Sequence, residues 1–515
     1  MAVIGKNILE NLTTGMYSDA KICYREYIQN SCDQIDLAVE LGMLSLEEAM
    51  IDIEINQSAK YIRIHDNATG VKASKFEADL GDIANSSKRV GKNKGFRGIG
   101  RLCGLAYCKS LIFSTSYLGE ATKSIMICDA EKMRQMLSDD KQYSVDEVLE
   151  SIVTFKSEEE DRKAHYFNVE LVDVVDTASE LLNENSIYDY LSFVAPVDYE
   201  NKFYNRSEIY KYIKDNNIKI DIYRIFINGR DLLKAYNTYL KEGTDYPKKY
   251  DEISKLVFKK FYNEDGELLA WMWYGLSRLE KQIPPVNKMR GLRLRQANIQ
   301  IGDEKTLSGL FKEPRGNLYY IGEVFATHKG LIANSQRDYF NQNIYRLQLE
   351  CVLSEYFRTT LTKLYYNANK FKNDCKKLQD INQQVVEFNQ KIVDNSFINE
   401  ELKNKEKEKI EALQKDAIKI QKEIDKIQNT ETSEPFNFVK ERISKKYEAE
   451  LNKDRVKIVD SKSKKQSKDN YLANSFASLS KKERKHIQTV MSIITEIAPK
   501  EVAEKIIIRI KEEFK

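Results

Sequence analysis

Alternating apolar and polar positions predict half-buried strands in the first part of the chain. The alternation occurs at 53–55, 61–65, 110–116 and 124–128. Between Lys21 and Leu41 apolar residues instead recur at three- and four-residue steps, which indicates a helix. Residues 1–185 are therefore predicted to form one domain of mixed helices and strands.

A second mixed segment is predicted over residues 186–345. Its strand-like stretches are 218–227, which runs into the turn Asn228-Gly229, and 268–273, 292–301 and 319–325. Pro284-Pro285 marks a loop between them. This pattern predicts an α/β middle domain.

The pattern changes after residue 345, because no proline or glycine occurs from Ile344 to Ile427. Apolar residues there step alternately by three and four, which is the seam spacing of a coiled coil. The two seams are Leu378, Ile381, Val385, Phe388, Ile392 and Ile410, Leu413, Ala417, Ile420, Ile424, Ile427. The pattern breaks between Asp394 and Asn399. Residues 346–430 are predicted to form an antiparallel helical hairpin, with one intermolecular coil as the alternative.

The last part of the chain is more polar and locally basic. Residues 431–475 are predicted to be a linker, and 476–515 a pair of helices that begins at a capping box, Ser480 to Glu483. Residues 453–485 carry 11 basic and four acidic side chains, a net charge of +7. Such a segment either contacts DNA or is a solvated linker.

Composition excludes several classes of protein. The 515 residues carry a net charge of only +3, so any basic surface is local. Seven cysteines without CxxC spacing argue against a disulfide scaffold and a zinc site. No apolar run approaches the ~20 residues that a membrane helix needs. Together with the absence of a signal-peptide pattern, this predicts a cytoplasmic protein without a membrane partner.

Three motifs carry candidate chemistry. On the early helix, Glu26, Asn30 and Asp33 are spaced to share one face, where carboxylate and amide oxygens suit Mg²⁺. Asp66 and Gly70 follow a strand, where Gly70 would allow close approach of a ligand. The glycine-rich segment 95–104 precedes a predicted helix, which is a favourable arrangement for phosphate. Each motif alone is also typical of a solvated face, a capped turn or a loop.

In order and spacing, the three motifs resemble the GHKL ATPases, which include gyrase, ninety-kilodalton heat-shock chaperones, histidine kinases and MutL. The resemblance implies an α+β protein with a Bergerat α/β sandwich, binding ATP and Mg²⁺. It assigns the general base to Glu26, the metal ligand to Asn30, and adenine recognition to Asp66 beside Gly70. Further nucleotide contacts are assigned to Asp33, Lys88, Gly95, Phe96, Arg97, Gly98, Ile99 and Gly100. The second box departs from the family pattern at Ala68, where glycine is usual.

The resemblance extends to residue 345 and implies that the middle domain is a transducer domain. The segment Leu331 to Asn341 resembles the chaperone catalytic loop, with Gln336 as an inserted residue. This assigns Arg337 to the γ-phosphate. Competing cations for that role are Lys288, Arg290, Arg293 and Arg295.

The implied function is a Mg²⁺-dependent ATPase that acts as a nucleotide-gated homodimeric clamp. Its partner would be a protein client or DNA contacted through 453–485. The layout also resembles prokaryotic microrchidia-type ATPases, which suggests bacterial genome or phage defence. The alternative is a nucleotide sensor without turnover, whose coiled coil recruits an effector.

Overall fold

The computed structural model describes residues 5–11, 13, 19–81, 100–394, 396–430, 432–448 and 481–513. The chain divides into two compact units, Met1–Tyr365 and Tyr366–Lys515. Helices and strands both contribute to the first unit, whereas the described part of the second unit is helical. The predicted α+β class is therefore confirmed.

An eight-stranded sheet organises the first part of unit one, in the order β5-β4-β3-β6-β2-β1-β7-β8. The strands are β1 Ile51–Asn56, β2 Tyr61–Asp66, β3 Cys108–Ser116, β4 Thr122–Asp129, β5 Val153–Glu159, β6 Tyr166–Val174, β7 Ile225–Ile227 and β8 Arg230–Asp231. All pairs are antiparallel except β1 with β7. The first four strands lie where the alternating pattern predicts them.

Seven helices lie between residues 7 and 215 of the described chain, and the last of them packs Ile209 and Ile213 into a second core with Trp271 and Phe325. They are α1 Asn7–Glu10, α2 Ile22–Glu40, α3 Ala73–Gly81, α4 Ala130–Ser138, α5 Val145–Ile152, α6 Glu184–Val194 and α7 Arg206–Asp215. Short 3₁₀ turns lie at Gly100–Ala106 and Asp176–Leu182. The apolar stripe of α2 joins the inward residues of the strands, such as Ile53, Ile64 and Leu111, in one core. This places the polar face of α2 at the edge of that core.

A five-stranded sheet organises the middle of the chain, in the order β11-β12-β15-β13-β14. Two strands that precede this sheet in the chain, β9 Tyr239–Glu242 and β10 Lys248–Glu252, form a separate hairpin. The five strands of the sheet itself are β11 Lys255–Tyr262, β12 Leu268–Leu276, β13 Gly291–Gln296, β14 Ile299–Ile301 and β15 Ile321–Ala326. Further 3₁₀ turns occupy Ser308–Leu310 and Pro314–Tyr319, and helix α8 spans Ile344–Tyr356.

Two predictions for this middle segment need correction. The stretch 218–227 is extended strand only at Ile225–Ile227, and this strand belongs to the first sheet. The predicted limit of the first domain, residue 185, therefore falls short of the sheet. The stretch 292–301 is two strands rather than one, because Ala297 and Asn298 adopt left-handed backbone with φ of 47° and 59°. Apolar periodicity does not detect such a two-residue turn.

The second unit contains a helical hairpin formed within one chain. A π turn, Phe357–Leu361, leads into α9 Thr362–Val393, and α10 spans Glu400–Asn429. Lys370 pairs with Glu423 at 3.4 Å and Lys391 with Glu406 at 3.1 Å, so the two helices run antiparallel. The predicted seams supply its core. Asn399 caps α10 by accepting a hydrogen bond from the Leu402 N–H, which explains the break in the pattern.

The linker predicted over 431–475 contains a helix, α11 Glu434–Lys446. Pro435 lies in the first turn of this helix, and Phe436, Val439 and Ile443 are buried at helical spacing. The sequence prediction missed this apolar spacing because a long polar segment follows it. Two last helices are α12 Lys481–Ile497 and α13 Lys500–Glu513. Most of the basic segment 453–485 lies outside the described residues. Among the helices that are described, none combines the length and apolar character needed to cross a membrane.

Candidate nucleotide-binding site

Helix α2 presents its polar residues at the edge of the core. Glu26 and Asp33 are buried, and Asn30 is half-buried. The sequence spacing predicts that these three residues share one face of the helix, but it does not predict that they are buried. The helix is fixed from both sides, because the Tyr24 hydroxyl donates to the Leu181 carbonyl and the Tyr27 hydroxyl to the Arg101 carbonyl at 3.1 Å. These two hydrogen bonds tie α2 to the 3₁₀ turns Asp176–Leu182 and Gly100–Ala106.

Two guanidinium groups approach the carboxylate of Glu26. Arg25 Nη2 lies 3.2 Å from Glu26 Oε1, and Arg337 Nε lies 3.7 Å from the same oxygen. Arg25 Nη2 also donates to the Gln336 carbonyl at 3.1 Å. The structure thus brings together the two residues predicted to be catalytic, which are more than three hundred positions apart in the sequence. Arg25 is a site residue that the sequence prediction missed.

Arg337 lies at the tip of a tight loop, residues 331–341, which we call the arginine loop. The Asn334 N–H donates to the Tyr339 carbonyl at 2.9 Å and the Asn341 N–H to the Ile332 carbonyl at 2.8 Å. Arg337 itself has φ of 54°, a left-handed conformation that is costly for a residue with a side chain. The inserted Gln336 is thereby accommodated in the turn, and its carbonyl faces Arg25.

The end of the glycine-rich segment packs directly against α2. A Cβ on Gly100 would lie 2.6 Å from Glu26 Oε2, and a Cβ on Gly104 would lie 2.5 Å from the Tyr27 hydroxyl. The Gly104 N–H donates to that hydroxyl at 2.9 Å. Burial raises the pKa of Tyr27 well above its usual value, so the hydroxyl stays protonated. A Cβ at either glycine would therefore force a side chain of α2 to shift.

The predicted adenine-binding turn follows β2. Asp66 is buried at 2% exposure and accepts a hydrogen bond from the Ala68 N–H at 3.2 Å. Gly70 has φ of +64°, and a Cβ there would lie 1.9 Å from the Ser116 carbonyl oxygen, so only glycine fits. Ala68 is fully buried and is not among the described residues with positive φ. The departure from the family pattern therefore falls where the backbone does not require glycine.

Two further contacts brace this turn and were not predicted. The Thr69 hydroxyl donates to Gln34 Oε1 at 2.8 Å, which ties the turn to α2. The Asn67 amide donates to the Glu48 carbonyl at 2.9 Å and accepts from the Met50 N–H at 2.9 Å. The polar residues on each side of Ala68 were the available signal, but sequence alone does not give their partners.

Six predicted nucleotide contacts lie outside the described residues. They are Lys88, Gly95, Phe96, Arg97, Gly98 and Ile99. Of the glycine-rich segment, only the part from Gly100 onwards is placed. The assignments of the six residues remain predictions from the resemblance.

The cations that compete with Arg337 make no contact with Glu26 among the described residues, and three of them have other partners. Lys288 pairs with Asp189, and Arg293 donates to the Lys288 carbonyl and to Gln300. Arg295 is fully buried against Glu323. Arg295 belongs to what we call the junction cluster, a buried polar group formed by Tyr199, Lys234, Arg295, Asn298 and Glu323. No contact between Arg290 and Glu26 is found among the described residues.

The residues that are present fit a nucleotide with Mg²⁺. Arg25 Nε and both polar atoms of the Gln29 amide are buried without a hydrogen-bond partner in the described part of the chain, and both residues neighbour Glu26. Buried orphaned groups are costly and are common where a ligand or water completes the network. The amide and carboxylate oxygens of Asn30, Asp33 and Glu26 are the hard donors that Mg²⁺ prefers.

The sheet, the polar face of α2 and the glycine turns define a nucleotide-binding domain of mixed α/β structure. The family model described as "Histidine kinase-, DNA gyrase B-, and HSP90-like ATPase" matches residues 21–158. The chain therefore carries a GHKL-type ATPase domain, as the motifs predict, and this family supports ATP binding. No curated protein matches the chain.

Proposed function

We propose that the protein is a Mg²⁺-dependent ATPase whose active site is completed by Arg337 from the arginine loop. The observation that carries this proposal is the contact between Arg337 in the arginine loop and Glu26 on α2, whose Nε and Oε1 atoms are 3.7 Å apart. A cation that reaches the general-base position from a distant segment is placed to neutralise charge at a phosphate.

Each residue of the site has a role in this proposal. Asn30 is the metal ligand, Asp33 supports the nucleotide, and Asp66 accepts hydrogen bonds from the adenine amino group. Glu26 orients the attacking water and accepts its proton, a general-base role. Mg²⁺, when bound, neutralises phosphate charge. Arg25 contacts both Glu26 and the Gln336 carbonyl, so it fixes the position of the arginine loop relative to the general base.

A second candidate is ATP binding without turnover. The observation that favours it is the double engagement of Glu26, because two guanidinium groups occupy the oxygen that would otherwise face a water molecule. In that case the protein is a sensor or scaffold that presents its helical hairpin to an effector. The two functions differ in turnover and agree in ATP binding.

The proposal extends to a homodimer that closes on ATP and acts on a protein or DNA partner. Its support is the order of the segments, in which a helical hairpin and a segment of charge +7 at 453–485 follow the ATPase part. A role in bacterial genome or phage defence is part of this broader hypothesis.

The test is ATP turnover, ATP affinity and molecular mass in solution for the wild type and Glu26→Ala. Glu40→Ala, at the exposed end of the same helix, is the matched control. We expect Glu26→Ala to bind ATP, to lose turnover by about 10²-fold or more, and to accumulate as an ATP-bound dimer. Equal turnover in the two variants would contradict the proposal, and a wild type that binds ATP without hydrolysis would favour the sensor.

A duplex DNA added to the wild type separates the partner hypotheses. Stimulated turnover that disappears when residues 453–515 are removed supports a DNA clamp. Turnover that DNA leaves unchanged at low ionic strength contradicts it, because phosphate contacts by lysine are strongest there.

A further inference from the structure

The arginine loop is held at two points by the hairpin β13–β14. The Gln296 side-chain amide, at the end of β13, donates to the Leu331 carbonyl at 2.5 Å. The Gly302 N–H, just after β14, donates to the carbonyl of Arg337 itself at 2.9 Å. One contact lies where the loop begins, and the other lies at its tip. The hairpin therefore restrains the part of the loop that carries the guanidinium.

Gly302 fits this position only as glycine. It has φ of +67°, and a Cβ there would lie 2.0 Å from Thr306 Oγ1 and 2.6 Å from the Asp338 carbonyl oxygen. Asp338 is the residue after Arg337, so the loop backbone packs directly on the glycine. Arg337 needs this support because its own left-handed conformation persists only when the surroundings enforce it.

The turn end of the hairpin, beside Gln296, is fixed by the junction cluster. Arg295, next to Gln296, donates from Nη1 to the Asn298 carbonyl at 2.8 Å and from Nη2 to the Phe193 carbonyl at 2.7 Å. Lys234 donates to the Asn298 side chain at 2.7 Å. Phe193 belongs to α6, whose residues Ile187 and Leu191 lie in the core of the first sheet. The hairpin is thus fastened to the ATPase core on one side and to the arginine loop on the other.

From these contacts we infer that Gln296 and Gly302 are positioning residues for Arg337. They fix the arginine loop to a hairpin that the junction cluster holds in place against the ATPase core. The inference rests on the proposed function, since it assigns these residues a role in the same reaction. Displacement of a charged group by about 1 Å is enough to lower a rate substantially, so loss of either contact lowers turnover without removing a group that touches ATP.

The test uses the full chain with Gln296→Ala, Arg337→Ala and the double variant. Gln296→Glu is a second probe, because an ionised carboxylate keeps the shape of the side chain but cannot donate to the Leu331 carbonyl. Ile299→Val, in β14, is the control for a purely structural loss, since it shortens a buried side chain of the same hairpin. The measurements are kcat, ATP affinity and the thermal midpoint of unfolding.

We expect Gln296→Ala and Gln296→Glu to lower kcat by about 5- to 10-fold, with ATP affinity unchanged. In the Arg337→Ala background, Gln296→Ala should cause no further loss, because both substitutions then remove one effect. Ile299→Val should lower the thermal midpoint and leave kcat unchanged. Gly302→Ala should lower kcat at least as far as Gln296→Ala.

The inference is overturned if the Gln296 variants keep wild-type kcat, or if Gln296→Ala lowers kcat by the same factor with and without Arg337. If Arg337→Ala slows turnover and Gln296→Ala does not, the proposed function stands and only the positioning role falls. If Arg337→Ala hydrolyses ATP as fast as the wild type, the proposed role of Arg337 falls as well.

Discussion

Two carboxylates in this protein lie between pairs of cations, and they differ in how completely they are satisfied. Glu323 in the junction cluster contacts Arg295 Nε at 2.5 Å, Lys234 Nζ at 3.1 Å and the Tyr199 hydroxyl. Glu26 in the nucleotide site has longer contacts, 3.2 Å to Arg25 and 3.7 Å to Arg337. Both groups are built from distant parts of the sequence.

The difference separates a structural ion network from a reactive one. The charged side chains of Glu323, Lys234 and Arg295 are all fully buried. Glu26 is slightly exposed and lies beside the orphaned polar atoms of Arg25 and Gln29. A closed network fixes geometry, whereas a loosely satisfied one can exchange its partners for a ligand. Charge alone therefore does not distinguish the two carboxylates, and a reactive role for Glu26 stays part of the proposed function.

The pKa values of the junction cluster follow from its burial. Burial lowers the pKa of Lys234 to about 7, with Arg295 adding to the effect against the attraction of Glu323. Burial alone would raise the pKa of Glu323, but Arg295 and Lys234 lower it to about 2. The stability that ionised Glu323 contributes is thus present above pH 4.5 and lost as the pH falls towards 2.

The largest expected effect is on stability, from breaking the closed network. Glu323→Gln leaves Arg295 and Lys234 buried without a negative partner, so the free energy of unfolding should fall by about 3–5 kcal/mol. Glu313→Gln, which removes a surface pair with Arg315, should change it by less than about 1 kcal/mol. Chemical denaturation of both variants at neutral pH measures the difference. Equal losses would show that the cluster is not closed in solution.

The next effect is on binding, at the adenine end of the open site. Asp66→Asn should weaken ATP binding by about 10²-fold or more, because the substitution removes the negative charge that strengthens the hydrogen bond from the adenine amino group and replaces one acceptor oxygen by an NH₂ donor. Asp52→Asn, on the neighbouring strand and next to Arg63, is the control. Calorimetric titration with ATP compares the two variants. An unchanged affinity of Asp66→Asn would mean that the base is recognised elsewhere.

A smaller effect is expected in the pH dependence of stability. Between the folded pKa of Lys234, about 7, and its ordinary value of 10.5, the unfolded chain binds more protons, so stability rises with pH. Between pH 7.5 and 8.5, Lys234→Met should lower the slope of the free energy of unfolding against pH by about 1 kcal/mol per pH unit. If the free energy of unfolding has the same slope against pH in the wild type and in Lys234→Met, Lys234 does not titrate in this pH range.

The smallest effect concerns the departure from the family pattern. Ala68→Gly should leave ATP affinity unchanged and lower stability by about 0.4–1 kcal/mol, because glycine loses more backbone freedom on folding. Gly70→Ala, which places a Cβ against the Ser116 carbonyl, should impair both properties. Tighter ATP binding by Ala68→Gly would show that Ala68 does distort the turn.

The parts that the sequence predicts well depend on local patterns. The strands around Ile53 and Ile64, helix α2 and the two seams of the helical hairpin follow from periodicity. The roles of Glu26, Asn30 and Asp66 follow from motif order and remain predictions. Arg25, Gln296 and Gly302 were missed because their importance lies in contacts with residues far along the chain. The turn at Ala297–Asn298 was missed because Ala297 is not typical of a turn and neither glycine nor proline adjoins Asn298.

The most direct test of the comparison is single-turnover ATP hydrolysis by Arg337→Ala beside Arg315→Ala, with unfolding measured on the same samples. If the Glu26–Arg337 pair serves chemistry, Arg337→Ala should slow hydrolysis by at least about 10-fold and keep the wild-type thermal midpoint. Arg315→Ala should change neither quantity. A wild-type rate for Arg337→Ala, together with a lowered midpoint, would contradict the account, because the pair would then be structural like the junction cluster.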